Sequence, residues 1–323
     1  MTAPMHDLTI DLWYGDHQRF GHLGQTQRWV NVLGQVNSPD GIHALAYRLN
    51  GGRRIPLSMG PTAFRLLGDG DFNVELDADD LLEGENRIEL LAVDLAGKEA
   101  ARDVTVVLER GKRWAIPCEV NWSDVSIAQD AVQVVDGLWQ LNGEGFRVVE
   151  PGYDRLAAIG DMAWQDYEVT LPITFHGFDE RPVARTWPST GQAFGMALRW
   201  QGHHDWNDMY PRRGYAPVGS IGMIRWNQET GDCRRAIGCT SLVQDDKAIA
   251  FEPGDTLAFK MAVRSNENGP ATYSLKVWHD GEEEPGSWQV EGGNEGEELN
   301  TGSMLLFAHH SDVTYGDVKV REI

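Results

Sequence analysis

The sequence predicts an all-β protein whose antiparallel sheets stack in two units. Three observations carry that prediction. Helical periodicity is nearly absent along the 323 residues. Apolar and polar residues alternate with period two in one segment after another. Glycine is abundant, with 36 residues, and turn-forming clusters separate the alternating segments. Strands with one dry face must bury it against another sheet. The chain is longer than one average domain. With 41% hydrophobic and 24% charged residues it can build packed cores and is not disordered by composition.

Taken in order, the first hundred residues offer short strands at 9–13, 29–36, 44–49, 71–76, 86–94 and 103–109. Turn signals lie between them at Pro39-Asp40-Gly41, Asn50-Gly51-Gly52 and Ala96-Gly97. One helical turn is expected at 78–82, capped by Asp77. Six or seven short strands at this spacing suit a sandwich. The turn Gly84-Glu85-Asn86 leads into one strand and Asp94-Leu95-Ala96-Gly97 leads out of it. That pattern resembles the late strands of bacterial Ig-like modules, and implies an N-terminal Ig-like β-sandwich over residues 1–111. The basic stretch 110–117, ending Ile116-Pro117, reads as a linker.

Beyond it the alternation strengthens. Tyr167, Val169, Leu171, Ile173 and Phe175 point one way, with Glu168, Thr170, Pro172 and Thr174 opposite. Phe194, Met196, Leu198 and Trp200 alternate with Ala193, Gly195, Ala197 and Arg199. Leu257, Phe259, Met261 and Val263 form another dry face. Tyr273, Leu275 and Val277 form the next, and Asp280-Gly281 signals a tight hairpin turn. Residues 304–309 and 317–321 read as the last two strands. Trp164-Gln165-Asp166-Tyr167-Glu168-Val169 and the closing Tyr315-Gly316-Asp317-Val318-Lys319-Val320 resemble strands of the concanavalin A-like (LamG-like) superfamily. The resemblance implies a concanavalin A-like jelly roll over 118–323. That scaffold serves lectins, glycoside hydrolases and polysaccharide lyases alike, so it implies a glycan partner and not a reaction.

Charge and targeting narrow the classes. Lys and Arg number 28 against 49 Asp and Glu, a net charge of −21. Such a field repels nucleic acid and anionic membrane. No apolar run is long enough for a membrane span. Residues 1–10 lack a basic and an apolar region, so no signal peptide is expected in this chain; it is cytoplasmic as it stands, or secreted with the signal removed. Cys118, Cys233 and Cys239 are an odd set, read first as free thiols and second as a local Cys233–Cys239 bridge.

The segment Arg199 to Arg213 is richest in chemistry. Trp200 and Trp206 offer stacking faces for a pyranose, and Arg199 offers forked donors. His203, Asp205, Tyr210 and Arg213 could supply a base and a carboxylate-neutralising cation for hydrolysis or β-elimination. The alternative is a loop that packs its aromatics on the sheet edge. His309, beside His310, Ser311 and Asp312, is a second base candidate or a strand cap. A shared metal site of His203, His204, His309 and His310 is the weaker reading. Arg199, Arg225, Lys260, Arg264 and Lys276 lie opposite the apolar positions and could line a basic groove for an anionic sugar, with Trp226 and Trp278 as further stacking surfaces. They could equally decorate a wet face. The alternating carboxylate triad E-x-D-x-E of family-16-type glucanases is missing, and Glu282-Glu283-Glu284 reads as a solvated run.

The jelly-roll resemblance also implies a structural Ca²⁺ held by Asp317 with backbone oxygens near Gly143, Glu144 and Gly145. No organic cofactor is expected. The leading expectation is a glycan-recognising protein acting in an open, wet groove of the jelly roll. The alternatives are a non-catalytic lectin or adhesion module and a structural interaction protein. Convergence of His203, Tyr210, Arg213 and His309 on one cleft would favour an enzyme.

Overall fold

The computed structural model describes residues 7–62, 64–179, 191–204, 212, 216–227, 230–238, 242–293 and 299–323. Among them the only helical elements are three single turns of 3-10 helix. One is Ala78–Asp80, where the Asp77 carboxylate accepts from Asp79 N as the capping argument requires.

The first third forms two sheets. A three-stranded sheet runs in the order Thr9–Leu12, Trp29–Asn37, Asp71–Asp77. A five-stranded sheet runs His17–Phe20, Glu99–Leu108, Gly84–Asp94, Ile42–Leu49, Ile55–Leu57. Val32, Phe72 and Val74 of the first meet Ile88, Leu90, Val104 and Val106 of the second in one dry core. Their alternation with polar neighbours is what the sequence pattern encodes.

The rest builds a larger pair. A seven-stranded sheet runs Gln133–Asp136, Arg155–Ile159, Ser303–His309, Ala193–Trp200, Val218–Asn227, Asp232–Gly238, Leu242–Ala248. A nine-stranded sheet is organised around Tyr167–Phe178, which pairs with Thr256–Arg264 on one side and with Ser311–Tyr315 and Val318–Glu322 on the other. Every apolar position expected in 167–175, 257–263 and 273–277 lies in the core between these sheets.

Three local expectations need correction. Asp280-Gly281 does not close a two-residue hairpin; the next strand, Val290–Gly292, returns only after a ten-residue loop. Residues 304–309 are not the penultimate strand. His310 adopts a left-handed backbone, φ 50°, and the chain turns there from Ser303–His309 in one sheet to Ser311–Tyr315 in the other. Trp200 does not share a face with Phe194, Met196 and Leu198. A register shift between Leu198 and Trp200, with Arg199 at φ 57°, flips the alternation. Trp200 therefore joins Ala193, Ala197, Leu305 and Phe307 on the outer face of the seven-stranded sheet.

The expected open, wet hollow is also corrected. The middle of that outer face is dry: Ala197, Trp200, Ile221, Leu305 and Phe307 are all buried. Part of the cover is the three-stranded sheet. Asn73 and Arg65 donate to Val135 O, Trp29 donates from Nε1 to His203 O at 2.7 Å, and Ser303 Oγ donates to Thr26 O. The two halves of the chain thus share a bonded contact rather than a bare linker.

Candidate functional site

The strand Ser303–His309 sends Met304, Leu306 and Ala308 into the inter-sheet core and Leu305 and Phe307 to the outer face. Period-two geometry carries His309 outward with them. His309 Nδ1 lies 2.7 Å from Asp154 Oδ1, and both residues are buried. Asp154 is itself left-handed, φ 44°, an uncommon state for a residue with a Cβ. His310 N donates to Gly152 O at 2.7 Å, and Asp179 N donates to His310 O at 2.9 Å. His310 Nδ1 is 3.4 Å from Asp179 Oδ2. Tyr153 stands edge-on to His309 with ring centres 5.0 Å apart.

Three polar atoms of this cluster are buried without a hydrogen-bond partner: His309 Nε2, His310 Nε2 and Asp154 Oδ2. Each such atom costs about 1–3 kcal/mol. An ionised Asp154 requires the proton on His309 Nδ1, which leaves Nε2 as the basic nitrogen. Burial, then the neighbouring His309, hold the His310 imidazole below its ordinary value, against the pull of Asp179.

Ala193 pairs across the sheet with His309 on one side and Arg225 on the other. Directly opposed residues share a face. Strand spacing puts Arg225 roughly 10 Å from His309, and the small Ala193 side chain lies between them. Exposure rises here: Ile221 is buried, while Arg225, Trp226 and Asn227 are half-buried.

His203 stands elsewhere. Trp200, at the far end of the same strand, pairs with Ser303, about 23 Å along the strand from Ala193. His203 is buried against Trp200, with ring centres 5.7 Å apart, and its Nδ1 is 3.9 Å from Glu75 Oε1. With His204, Arg28, Asp77 and Gln201 it lines a cleft of about 370 Å³. The expected convergence of His203 with His309 is therefore corrected, because the two histidines belong to opposite strand ends. Asp205, Trp206, Tyr210 and Arg213 lie outside the described residues.

The substrate-binding set is divided as well. Arg199 is buried. Its guanidinium donates to Gln165 O, Leu299 O, Asp166 Oδ1 and Ser265 Oγ, so it fastens a loop instead of facing a groove. Trp200 is fully buried. Trp226 packs on the inter-sheet core beside Phe178. Lys260 and Lys276 lie on the nine-stranded sheet and share Glu284 at 3.1 and 2.9 Å. Trp278 is on that sheet too, opposite Ala258. The expected single basic groove is thus split between two sheets; Glu282, Glu283 and Glu284 are all exposed, as a solvated run requires, and Glu284 is in addition the counter-ion of both lysines.

For calcium, Asp317 gathers no cluster of further side-chain ligands among the described residues. Asp317 Oδ1 accepts from Trp122 N at 3.0 Å. The Asn142 side chain caps the turn at Glu144 and Gly145. Gly143 is left-handed at φ 85° and meets nothing where a Cβ would be. Among the described residues no three His, Cys, Asp or Glu side chains gather around a cation position, and this applies to the histidine site as well. Cys118 and Cys233 are free thiols, pushed by burial up to about 11 and about 12; Cys239 lies outside the described residues.

Sequence reasoning missed a buried ionic seam between the halves. Arg65 Nη1 donates to Glu75 Oε1 at 2.8 Å. Arg65 Nε lies 3.1 Å from Asp136 Oδ2, in ion-pair contact but not aligned as a hydrogen bond. Arg155 Nη1 is 3.5 Å from Asp136 Oδ1 and donates to Arg65 O. The available signal was Asn73 and Glu75 alternating with Phe72, Val74 and Leu76, which reads as a solvated face. Asp154 carried no signal beyond preceding a strand.

Fold and site together define an all-β sandwich protein with a buried carboxylate–imidazole pair at the margin of its seven-stranded sheet. No family model and no curated protein matches the chain. Among solved structures it is similar to an alginate lyase in complex with alginate trisaccharide, at 14% identity and TM-score 0.37, over 65% of this chain and 100% of that one. It is similar to the VIP36 exoplasmic/lumenal domain in its Ca²⁺/Man2-bound form, at 9% identity and TM-score 0.40, over 64% and 87%. It is also similar to an endo-β-1,4-mannanase from Thermotoga petrophila, at 15% identity and TM-score 0.26, over 33% of this chain; there the chain spans 21% of the enzyme's length.

Proposed function

We propose that the protein is a polysaccharide-active enzyme in which His309 Nε2 is the general base. The observation that carries this is the pair itself: Asp154 fixes Nδ1 at 2.7 Å while the buried Nε2 has no partner. That is how a carboxylate orients an imidazole for proton abstraction. Arg225, one small residue away across the strands, suits the carboxylate of a uronic acid. The reaction this supports is β-elimination. Nε2 takes the C5 proton, the C4–O bond breaks, a C4=C5 double bond forms, and the leaving oxygen takes a proton from water.

The test is turnover on a panel of acidic and neutral polysaccharides, scored for an unsaturated product absorbing in the ultraviolet and for reducing ends. Wild type should give the unsaturated product and His309→Ala should not. Absence of turnover on every polysaccharide, or an unchanged rate in His309→Ala, removes the proposal. Reducing ends without unsaturation would move the chemistry to hydrolysis.

A second reading, a non-catalytic glycan-binding or interaction module, is favoured by the dry centre of the same sheet face. It expects binding without product, unaffected by His309→Ala.

A further inference from the structure

A cleft of about 440 Å³ opens between the segment 13–17, the segment 126–129 and the edge of the nine-stranded sheet, with Trp13, Tyr14, Asp16, Ile127, Gln129 and Gln140 among its walls. The volume is in the range of small-ligand sites, about 300–1,000 Å³. Its floor is rigid. Trp139 and Phe146 are buried there and stacked at 5.1 Å. Tyr14 is pinned, since its hydroxyl donates to Gly137 O and accepts from Trp139 N, each at 2.9 Å. Gln129 Nε2 donates to Tyr14 O at 3.2 Å. The half-buried Trp13 is different: among the described residues its indole N–H makes no hydrogen bond, although its ring packs on the core.

We infer that this cleft is a second glycan site, taking two or so units of a neutral oligosaccharide. A fixed aromatic wall suits the apolar C–H face of a pyranose, and an indole N–H with the Gln140 amide at the rim suits its hydroxyls. No Lys or Arg is among the walls of the cleft, so nothing there suits the carboxylate of an anionic ligand. The site is separate from His309 and does not depend on the elimination chemistry.

Calorimetric titration of the full chain with cellohexaose, mannohexaose and xylohexaose tests it. At least one should bind, and Trp13→Ala should weaken that binding by about tenfold or more. Ile127→Arg blocks the rim from a position that is 52% exposed, where folding tolerates change, and should weaken binding likewise. His309→Ala should bind as wild type does. Failure of all three hexasaccharides at millimolar concentration, or wild-type affinity in both rim variants, overturns the inference. So does uptake of an apolar dye without any hexasaccharide, which would mark a peptide-type surface. Binding without turnover of any polysaccharide would sink the catalytic reading alone; turnover without binding here would sink this one alone.

Discussion

The Arg199 guanidinium lies 3.0 Å from Asp166 Oδ1, on the side of its strand opposite to the one regular alternation assigns. The backbone at Arg199 is left-handed, its N–H donates to Tyr167 Oη at 2.9 Å, and Gly302 packs so closely that a Cβ there would meet Trp200 N at 2.3 Å. The bulge re-aims two large side chains at once, a recurrent use of such irregularities.

Arg199→Ala should therefore act on stability. It removes a buried cation and leaves the carbonyls of Gln165 and Leu299 without their donor, while Asp166 keeps Ser265 N and Oγ, at a cost of roughly 3 kcal/mol. A urea denaturation series reads this as a lower midpoint at unchanged slope.

Asp154→Asn tests the orienting role of the carboxylate. Asn tolerates the left-handed backbone, so the fold should persist. The amide cannot fix the imidazole proton on Nδ1 as a carboxylate does, and turnover should fall by about a hundredfold or more. KM should change little, because the group acts on the base and not on the sugar.

Arg65→Met should loosen the clasp between the two halves. Arg65, Glu75 and Asp136 are all buried; removing the cation leaves Asp136 with the more distant Arg155 and Glu75 with Arg212, at roughly 3 kcal/mol. Limited proteolysis around residues 110–117, together with a thermal melt, measures the loss.

His310 sets an acid limit. Its folded value lies below the ordinary 6.5, so the fold favours the neutral ring. That contribution is complete above about pH 6.5 and declines as pH falls towards the folded value. His310→Asn keeps a residue suited to φ 50° and removes the titration. Its melting temperature should fall less steeply on acidification than that of wild type.

Chelation gives a fifth outcome. With Asp317 engaged by Trp122 N, dialysis against EGTA should leave the melting temperature within about 1 °C, whereas a structural ion would stabilise by mass action.

Alternation alone determined the all-β class, most strand positions and the dry faces of Tyr167–Phe178, Thr256–Arg264 and Thr272–His279, because a pleated strand writes its two faces into every second residue. The Asp77-capped turn was legible for the same local reason. Tertiary structure decided what covers the second face. Glu75 and Asn73, polar positions on the strand Asp71–Asp77, are buried, and Trp200 read as one of the Phe194 row and lies opposite it. His309 read as a base candidate, but its partner Asp154 is 155 residues away. Period and turn chemistry act over a few residues, whereas a bulge, a sheet crossing or a carboxylate brought to an imidazole depends on which strands pair, and that is settled only by closing the whole sandwich.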